Sequence, residues 1–160
     1  MDTWIEYLKN NDFISVKKHI KDGADVNDAN DSGESVLANA VRYRCDMDLL
    51  MLLIDNGADI NDFDDEGISI FDTSITYNSM EMVEYIISQG IDVNFTNRRS
   101  GFSPLMAAAS YGRSEMVKLL LEHGANQNAI DTKGFSAVDF ARKMNKKSVL
   151  GILNQSNCNT

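Results

Sequence analysis

The sequence predicts an all-α fold, a solenoid of stacked helix-turn-helix units joined by short β-hairpin-like turns. The first observation is a glycine that recurs every 33 or 34 residues, at Gly23, Gly57, Gly90 and Gly124. The second is a further glycine series with the same period, at Gly33, Gly67, Gly101 and Gly134. The third is an asparagine four residues after each glycine of the first series, at Asn27, Asn61, Asn94 and Asn128. A period of this length indicates one supersecondary unit per repeat, which buries its apolar faces only against its neighbours.

The stretch from residue 100 to residue 128 shows how one unit is built. Ser103 suits the N-cap of a helix, and Pro104 suits the first helical position, where its missing N–H would have no partner anyway. Gly112 breaks this helix, and a second helix with an apolar side runs on towards Gly124. Gly124 is well suited to the left-handed position that ends a helix. One repeat is therefore a pair of short helices between glycines.

This stretch resembles an ankyrin repeat, whose pattern is roughly G-x-T-P-L-H-x-A-A-x-x-G followed by an apolar helix that ends L-L-x-x-G-A-D-V-N. The matching residues are Gly101, Pro104, Leu105, Ala108, Ala109, Gly112, Val117, Leu120, Leu121, Gly124, Ala125 and Asn128. The formal mismatches are Ser103 for Thr, Met106 for His, and Asn126-Gln127 for Asp-Val. The resemblance covers nearly all 160 residues and implies about five repeats in a single domain.

The predicted repeats are residues 1–30 as an N-terminal cap, 31–63, 64–96, 97–130, and 131–154 as a C-terminal cap, with 155–160 as a polar tail. In the first repeat the predicted helices are 2–9, with Trp4 filling the core, and 12–21. The predicted pairs that follow are 35–43 with 47–56 and 69–77 with 79–88; after the pair described above, a last helix lies near 146–153.

Two one-residue insertions interrupt the period. Gly33 to Gly57 spans 24 steps, where the equivalent spans in the next two repeats are 23, so one extra residue lies near Arg44. Asn94 to Gly101 spans seven steps, where the other three repeats have six, so another lies near Arg98. In the family, a His side chain helps to tie the turns together. Its positions here hold Ala38, Asp72, Met106 and Asp139, so we expect that network to be absent or altered.

Charge is distributed unevenly along the chain, whose 24 acidic and 15 basic residues give a net charge of -9. Residues 1–94 hold 20 acidic and 6 basic residues, whereas residues 95–160 hold 4 and 9. This indicates a partner with a basic patch at the first repeats and an acidic or apolar one near Arg98, Arg99, Phe102 and Phe135; the alternative is that the charge only maintains solubility. The net negative charge disfavours a nucleic-acid partner.

We expect a cytoplasmic protein without a membrane partner. No apolar run approaches the roughly 18 residues that a membrane span needs. Residues 1–6 lack the basic start and apolar stretch of a signal peptide. Cys45 and Cys158 lie far apart in the chain and suggest no disulfide framework.

Residue spacing indicates no catalytic or metal site. His19 and His123 are interpreted as structural, and no pair of His, Cys or carboxylate residues has the spacing of zinc ligands. The acidic turn at 62–66 lacks the pattern of a calcium-binding loop. We therefore expect no enzymatic activity, no cofactor and no metal.

The resemblance implies a protein partner on a concave face made by the hairpin tips and the inner side of each first helix. The residues predicted for this face are Glu34, Tyr43, Glu66, Ile68, Tyr77, Arg99, Phe102, Tyr111, Lys133 and Phe135. The three tyrosines are spaced by 34 residues and are expected to stack, although they would equally suit a role in shielding the turn between helices. Phe102 and Phe135 are the strongest candidates, because an aromatic residue at an exposed tip has no core to fill.

Two functions from different classes remain open on the sequence alone. The first is a non-catalytic protein–protein interaction module, one form of which is an inhibitor or neutraliser of a basic partner. The alternative is a self-assembling structural protein that associates head to tail through charge complementarity. A monomer is expected under the first hypothesis and self-association under the second.

Overall fold

The computed structural model describes residues 1–158, and this part of the chain contains ten α-helices in five pairs. The helices are α1 (Asp2–Lys9), α2 (Phe13–Lys21), α3 (Val36–Arg42), α4 (Met47–Asp55), α5 (Ile70–Thr76), α6 (Met80–Ser88), α7 (Pro104–Ser110), α8 (Ser114–Glu122), α9 (Ala137–Lys143) and α10 (Lys147–Cys158). Antiparallel contacts in the hairpins are isolated bridges, Ala29 with Ser35, Phe63 with Ser69 and Ile130 with Ser136. The predicted all-α class is confirmed.

The chain forms two compact units, Met1–Val83 (unit 1) and Glu84–Thr160 (unit 2), and the boundary falls within α6. In unit 1, α1 packs against α2 and α3, and α3 packs against α4 and α5. In unit 2, α7 packs against α8 and α9, and α10 packs against α8 and α9. Within each unit, helix pairs therefore lie against the next pair, as expected for stacked repeats.

A serine cap begins the first helix of each later pair. Ser35, Ser69, Ser103 and Ser136 each accept a hydrogen bond at the side-chain oxygen from the backbone N–H three residues on. This bond satisfies one of the N–H groups that a helix start leaves without a partner. Because the serine is the cap, α3 and α5 begin one residue later than predicted.

At three of the four positions that hold the His in the family, the side chain takes part in a capping box. Asp72 accepts hydrogen bonds from the backbone N–H and hydroxyl of Ser69 (3.1 and 3.0 Å), and Asp139 accepts the same two from Ser136 (2.8 and 3.0 Å). The sulfur of Met106 lies 3.4 Å from the backbone nitrogen of Ser103, which donates to it. The hydrogen-bond network is therefore altered, which was one of the two expected outcomes. Asp72 and Asp139 each form a capping box with the serine that begins the same helix.

The core consists of apolar side chains where the helices meet. Trp4 is 2% exposed, which agrees with its predicted role as core filling. The largest fully buried side chains of unit 1 are Leu8, Leu37, Leu49, Leu50, Leu53, Ile70, Phe71, Ile75 and Met82. Those of unit 2 are Ile86, Leu105 and Met106, and the small residues Ala107, Ala108 and Ala109 of α7 are also fully buried.

The last helix is longer than the sequence predicted. The sequence predicted a helix near 146–153 and a polar tail from 155, whereas α10 continues to Cys158. No glycine or proline follows Gly151 to stop the helix, and the hydroxyl of Ser156 donates to the carbonyl oxygen of Ile152 (3.1 Å). The remainder of the predicted tail, residues 159 and 160, lies outside the described residues.

Both insertions have a structural counterpart. In the turn before α4, Arg44 takes a left-handed conformation (φ 59°), and two residues follow it before the helix begins. In the turn before α6, Asn78 takes the same conformation (φ 60°), and one residue follows it. The hairpin before α7 is closed differently from the others, because the hydroxyl of Thr96 donates to the carbonyl oxygen of Phe102 (3.0 Å).

Candidate functional site

The two hairpins of unit 1 lie side by side, and each is closed by side-chain hydrogen bonds. The N–H of Asp65 in the second hairpin donates to the carbonyl oxygen of Ser32 in the first (3.1 Å). Asn30 Oδ1 closes the first tip by accepting the N–H groups of residues 32 and 34 (3.0 Å each). Asp64 Oδ1 closes the second by accepting those of residues 66 and 68 (2.9 Å each). These side-chain turns hold the predicted residues Glu34, Glu66 and Ile68 in fixed positions.

Glu34 already has partners within the chain. Arg42 Nη1 lies 3.0 Å from both carboxylate oxygens of Glu34, and Asn30 Nδ2 donates to Oε2 at 2.8 Å. The Glu34 side chain is 25% exposed, whereas Glu66 is exposed and Ile68 is partly buried. A ligand at the first tip would have to compete with Arg42 for this carboxylate, so Glu66 is the more accessible of the two acids.

The two tyrosines of unit 1 end the first helices of their repeats. Tyr43 caps α3, Tyr77 caps α5, and both side chains are partly buried. The ammonium nitrogen of Lys9 lies 5.6 Å from the ring centroid of Tyr43. Among the described residues of unit 1 the two tyrosine rings make no ring contact, so the predicted stacking is wrong for this pair.

A groove of about 540 Å³ lies between the starts of α4 and α6, beside the first insertion. It is lined by Val41, Arg44, Cys45, Asp46, Met47, Asp48, Leu50, Tyr77, Asn78, Ser79, Met80 and Glu81. The turn that holds the extra residue is hydrogen-bonded to the first repeat. Asp46 and Asn11 exchange two hydrogen bonds (2.8 and 3.1 Å). The Cys45 thiol donates to the carbonyl oxygen of Leu8 (3.2 Å).

The titration of two groups in this turn follows from those contacts. Burial, with a smaller effect of the Asp46 carboxylate, raises the pKa of the Cys45 thiol to about 11, which keeps the thiol protonated at neutral pH. The side-chain amide of Asn11, followed by the N–H of Leu49, lowers the pKa of Asp46. Asp46 is therefore charged at neutral pH while it caps α4.

Unit 2 contains a cluster of three phenylalanines. The rings of Phe102 and Phe140 meet edge to face with centroids 5.0 Å apart, and Phe135 lies 6.1 Å from Phe140. The guanidinium carbon of Arg98 lies 4.9 Å from the centroid of the Phe102 ring. Phe102 is consequently only partly exposed, which corrects the expectation that it has nothing to pack against, whereas Phe135 is 45% exposed.

A second groove, of about 250 Å³, adjoins this cluster and is lined by Phe135, Asp139, Phe140, Arg142 and Lys143. The backbone N–H of Ser136 is the main cause of the lowered pKa of Asp139, and its hydroxyl adds to the effect. Arg142 Nη1 lies 3.6 Å from Asp139 Oδ1. The groove thus has an aromatic wall and a charged rim.

The other predicted residues of unit 2 are accessible. Tyr111 ends α7 and is 48% exposed, and Arg99 and Lys133 are exposed in their hairpins. Those hairpins are joined by a hydrogen bond from the N–H of Thr132 to the carbonyl oxygen of Ser100 (2.9 Å). In the described part of the chain, the side chains of Arg99, Tyr111 and Lys133 make no hydrogen bond, ion pair or ring contact.

The family model of ankyrin repeats in three copies matches residues 6–97 and residues 77–160. The chain belongs to the ankyrin repeat family. Ankyrin repeats are generally protein–protein interaction modules, and the ankyrin fold by itself is non-enzymatic.

Several proteins contain a segment that is similar to part of this chain. An E3 ubiquitin-protein ligase of Caenorhabditis elegans is 43% identical over 42% of the chain, and a putative ankyrin repeat protein of fowlpox virus is 34% identical over 52%. A putative ankyrin repeat protein of Acanthamoeba polyphaga mimivirus is 32% identical over 46%. The aligned segments span 2%, 25% and 45% of the lengths of these three relatives, respectively.

Sequence reasoning missed several residues that the ankyrin repeats of this chain place at the surface or in the cluster. Phe140 joins Phe102 to Phe135, and its signal was a second phenylalanine five positions after Phe135. Phe63 and Ile130 are exposed, and each follows a repeat asparagine by two residues. Arg98 was noted for its charge, but its place over the Phe102 ring was not foreseen.

Among residues 1–158, no group of three or more His, Cys, Asp or Glu side chains is arranged to hold a metal ion. None of the described helices has both the length and the apolar character required to cross a bilayer.

Proposed function

We propose that this ankyrin repeat chain is a non-catalytic module that holds a partner protein against the hairpins and first helices of its repeats, the concave face of the family. The observation that carries the proposal is the aromatic surface of unit 2, where Phe135 is 45% exposed and Tyr111 is 48% exposed. Tyrosine and other aromatic residues are enriched at protein interfaces, because they bury a large area at a small loss of side-chain freedom.

The charge of the two units supports a partner of mixed charge. Unit 1 carries 18 acidic and 6 basic side chains, a formal charge of -12, whereas unit 2 carries 6 and 9, a formal charge of +3. Exposed acids at the second hairpin of unit 1, such as Asp65 and Glu66, would face a basic patch of the partner. Complementary charge increases the association rate and rejects partners of the wrong sign. An inhibitor or neutraliser of a basic protein is the form of binding that this charge favours.

Affinity capture with the purified chain tests the proposal. Phe135→Ala combined with Tyr111→Ala removes two exposed rings and little of the core, so the fold should be retained. We expect the captured partner to be lost with this double variant and to be retained with Phe95→Ala, which removes an exposed ring outside the predicted rows. Equal capture by wild type and the double variant would rule out this surface as the binding site.

Self-association through charge is the second candidate function, and the opposite formal charges of the two units favour it. Sedimentation velocity at high protein concentration distinguishes the two. Self-association would appear as a larger species at low salt that dissociates when salt is added. A monomer under both conditions would exclude the alternative and leave the binding module.

A further inference from the structure

The groove beside the phenylalanine cluster of unit 2 has the size of a side-chain pocket. Its volume is about 250 Å³, below the range of roughly 300–1,000 Å³ that is common for pockets of small-molecule ligands. It opens between the end of one hairpin, at Phe135, and the exposed side of α9. A single large apolar side chain would fit within it.

The aromatic wall of the groove is held in place before any ligand binds. Phe140 packs edge to face against Phe102, with the ring planes at 89°, and Phe135 meets Phe140 at 65°. The helix that carries Phe140 is fixed at its start by the reciprocal hydrogen bonds of Ser136 and Asp139. A preformed wall reduces the ordering that binding would otherwise require.

The rim of this groove carries a net positive charge. Asp139 accepts two hydrogen bonds from Ser136 and lies 3.6 Å from Arg142, so its negative charge is largely satisfied within the chain. Lys143 forms no ion pair among the described residues, and the Arg142 side chain is 69% exposed. Arg142 and Asp139 offset each other, so the rim carries a net positive charge, and Lys143 is the cation beside the aromatic wall that has no ion pair among the described residues.

From these contacts we infer that the groove binds one apolar side chain from a segment of the partner protein in which carboxylates flank that side chain. The apolar side chain packs against Phe135 and Phe140, and one flanking carboxylate pairs with Lys143. Arg142 is 69% exposed and attracts the other carboxylate more weakly, because it also pairs with Asp139. The inference rests on the proposed function, since it names the chemistry that the partner presents to one part of the same face. Binding in this groove of unit 2 does not require the basic patch on the partner that the negative charge of unit 1 favours.

Backbone NMR of the isotope-labelled chain with short peptides tests this pocket directly. The first probe is a capped pentapeptide with a central phenylalanine between two pairs of glutamates. The second has lysines in place of the glutamates, and the third has serine in place of the phenylalanine. We expect the first peptide alone to shift the amide signals of Phe135, Phe140 and Lys143 in a saturable manner. Equal shifts with the lysine peptide would overturn the charge preference, and equal shifts with the serine peptide would overturn the apolar pocket.

Two variants and one matched control locate the binding. Lys143→Glu should weaken the glutamate peptide about fivefold, the upper range for an exposed ion pair, and Phe135→Ser should weaken it at least about fivefold. Both side chains are exposed, so neither change removes a core residue. Lys147→Glu makes the same charge change on the exposed start of α10, outside the groove, and should weaken binding much less. Equal weakening by both lysine variants would show a nonspecific charge effect and contradict the pocket.

The peptide result and the capture result separate the two claims. If a partner protein is captured through Tyr111 and Phe135 but no peptide shifts the groove signals, the pocket is wrong and the proposed function stands. If the glutamate peptide binds as described while self-association accounts for all captured protein, the pocket stands and the proposed function fails. If neither occurs, both are wrong.

Discussion

The side-chain amide of Asn94 donates to the carbonyl oxygen of Gly124 (3.1 Å), and Asn94 Oδ1 accepts the N–H of Asn126 (2.7 Å). Asn27 makes the same two bonds in unit 1, to the carbonyl of Gly57 (2.9 Å) and from the N–H of residue 59 (3.0 Å). Each asparagine thus binds the backbone that follows the next helix pair. The amide supplies a donor and an acceptor at once, which explains why the repeat uses asparagine here.

Asn94→Ala should lower the free energy of unfolding by about 1–2 kcal/mol, because two hydrogen bonds to the next repeat are lost from an exposed site. Urea denaturation followed by circular dichroism measures the change. Asn128→Ala is the matched control, since Asn128 has the same position in its repeat and its side chain makes no hydrogen bond in the described residues. A loss as large in the control would show that the asparagine acts through local backbone preference instead.

Gly33→Ala should destabilise the chain more than Gly23→Ala. Both glycines have positive φ, +77° and +98°, so an added Cβ costs about 1–2 kcal/mol in backbone strain at either site. At Gly33 the new Cβ would also lie 2.8 Å from Asp65 Oδ1 and 3.1 Å from the Asp65 backbone nitrogen, whereas at Gly23 nothing lies within 4 Å. We expect Gly33→Ala to lose about a further 1 kcal/mol or more in denaturant unfolding. Equal losses would mean that the two hairpin tips of unit 1 separate easily.

Local rules allowed the repeat itself to be predicted from the sequence. A position with a left-handed backbone conformation accepts few residue types, so glycines such as Gly57 and Gly124 reveal the period of the repeat. The serine caps are also local, since Ser69 acts on a residue three positions away. The repeat asparagines were recognised from their spacing, although the hydrogen bonds that explain them connect residues 30 apart.

The surface could not be predicted to the same extent, because it depends on contacts between residues far apart in the chain. Phe102 and Phe140 are in contact although they lie 38 positions apart, so no local pattern indicated a neighbour for Phe102. The extra residue near Arg44 was recognised by counting. The groove beside it could not be predicted, because it depends on the hydrogen bonds between Asp46 and Asn11. The end of α10 was missed because a polar composition was interpreted as a tail, although nothing in it breaks a helix.

Asp46→Asn should reduce the acid sensitivity of unfolding. The folded-state pKa of Asp46 lies below its ordinary value of 3.8, because the Asn11 amide and then the Leu49 N–H stabilise the carboxylate. Its contribution to stability is therefore fully present above about pH 4 and is lost as the pH falls through the lowered pKa. Urea unfolding at a series of pH values should show wild type more stable than Asp46→Asn at pH 7, with the gap closing in acid.

Asp48→Asn is the matched control for this experiment, because it removes a carboxylate from the same helical turn without those hydrogen bonds. We expect the gap between wild type and this variant to change less with pH. A gap that stays constant for Asp46→Asn down to strongly acidic pH would contradict the role assigned to the Asn11–Asp46 pair.

The phenylalanine cluster should show measurable coupling. A double-mutant cycle with Phe102→Leu and Phe140→Leu isolates the edge-to-face contact at 5.0 Å and should give about 0.5–1.5 kcal/mol in the free energy of unfolding. The cycle with Phe135→Leu and Phe140→Leu provides the comparison, because its rings are 6.1 Å apart and Phe135 is largely exposed. That second coupling should be smaller. If it were the larger, Phe135 and not Phe102 would be the residue that holds Phe140 in place.

Cys45 should be protected from thiol reagents in the folded chain. Its pKa of about 11, against an ordinary 9.0, reduces the thiolate fraction at pH 8 about a hundredfold, and its thiol is buried against the Leu8 carbonyl. In a Cys158→Ser background, a disulfide reagent should therefore react at least about a hundredfold more slowly with native chain than with chain in urea. A Cys45→Ala, Ser148→Cys variant in the same background carries its thiol at an exposed position of α10 and controls for the reagent. If native Cys45 reacted as fast as that control, the turn before α4 would open readily, and the Asn11–Asp46 hydrogen bonds would not be what holds it.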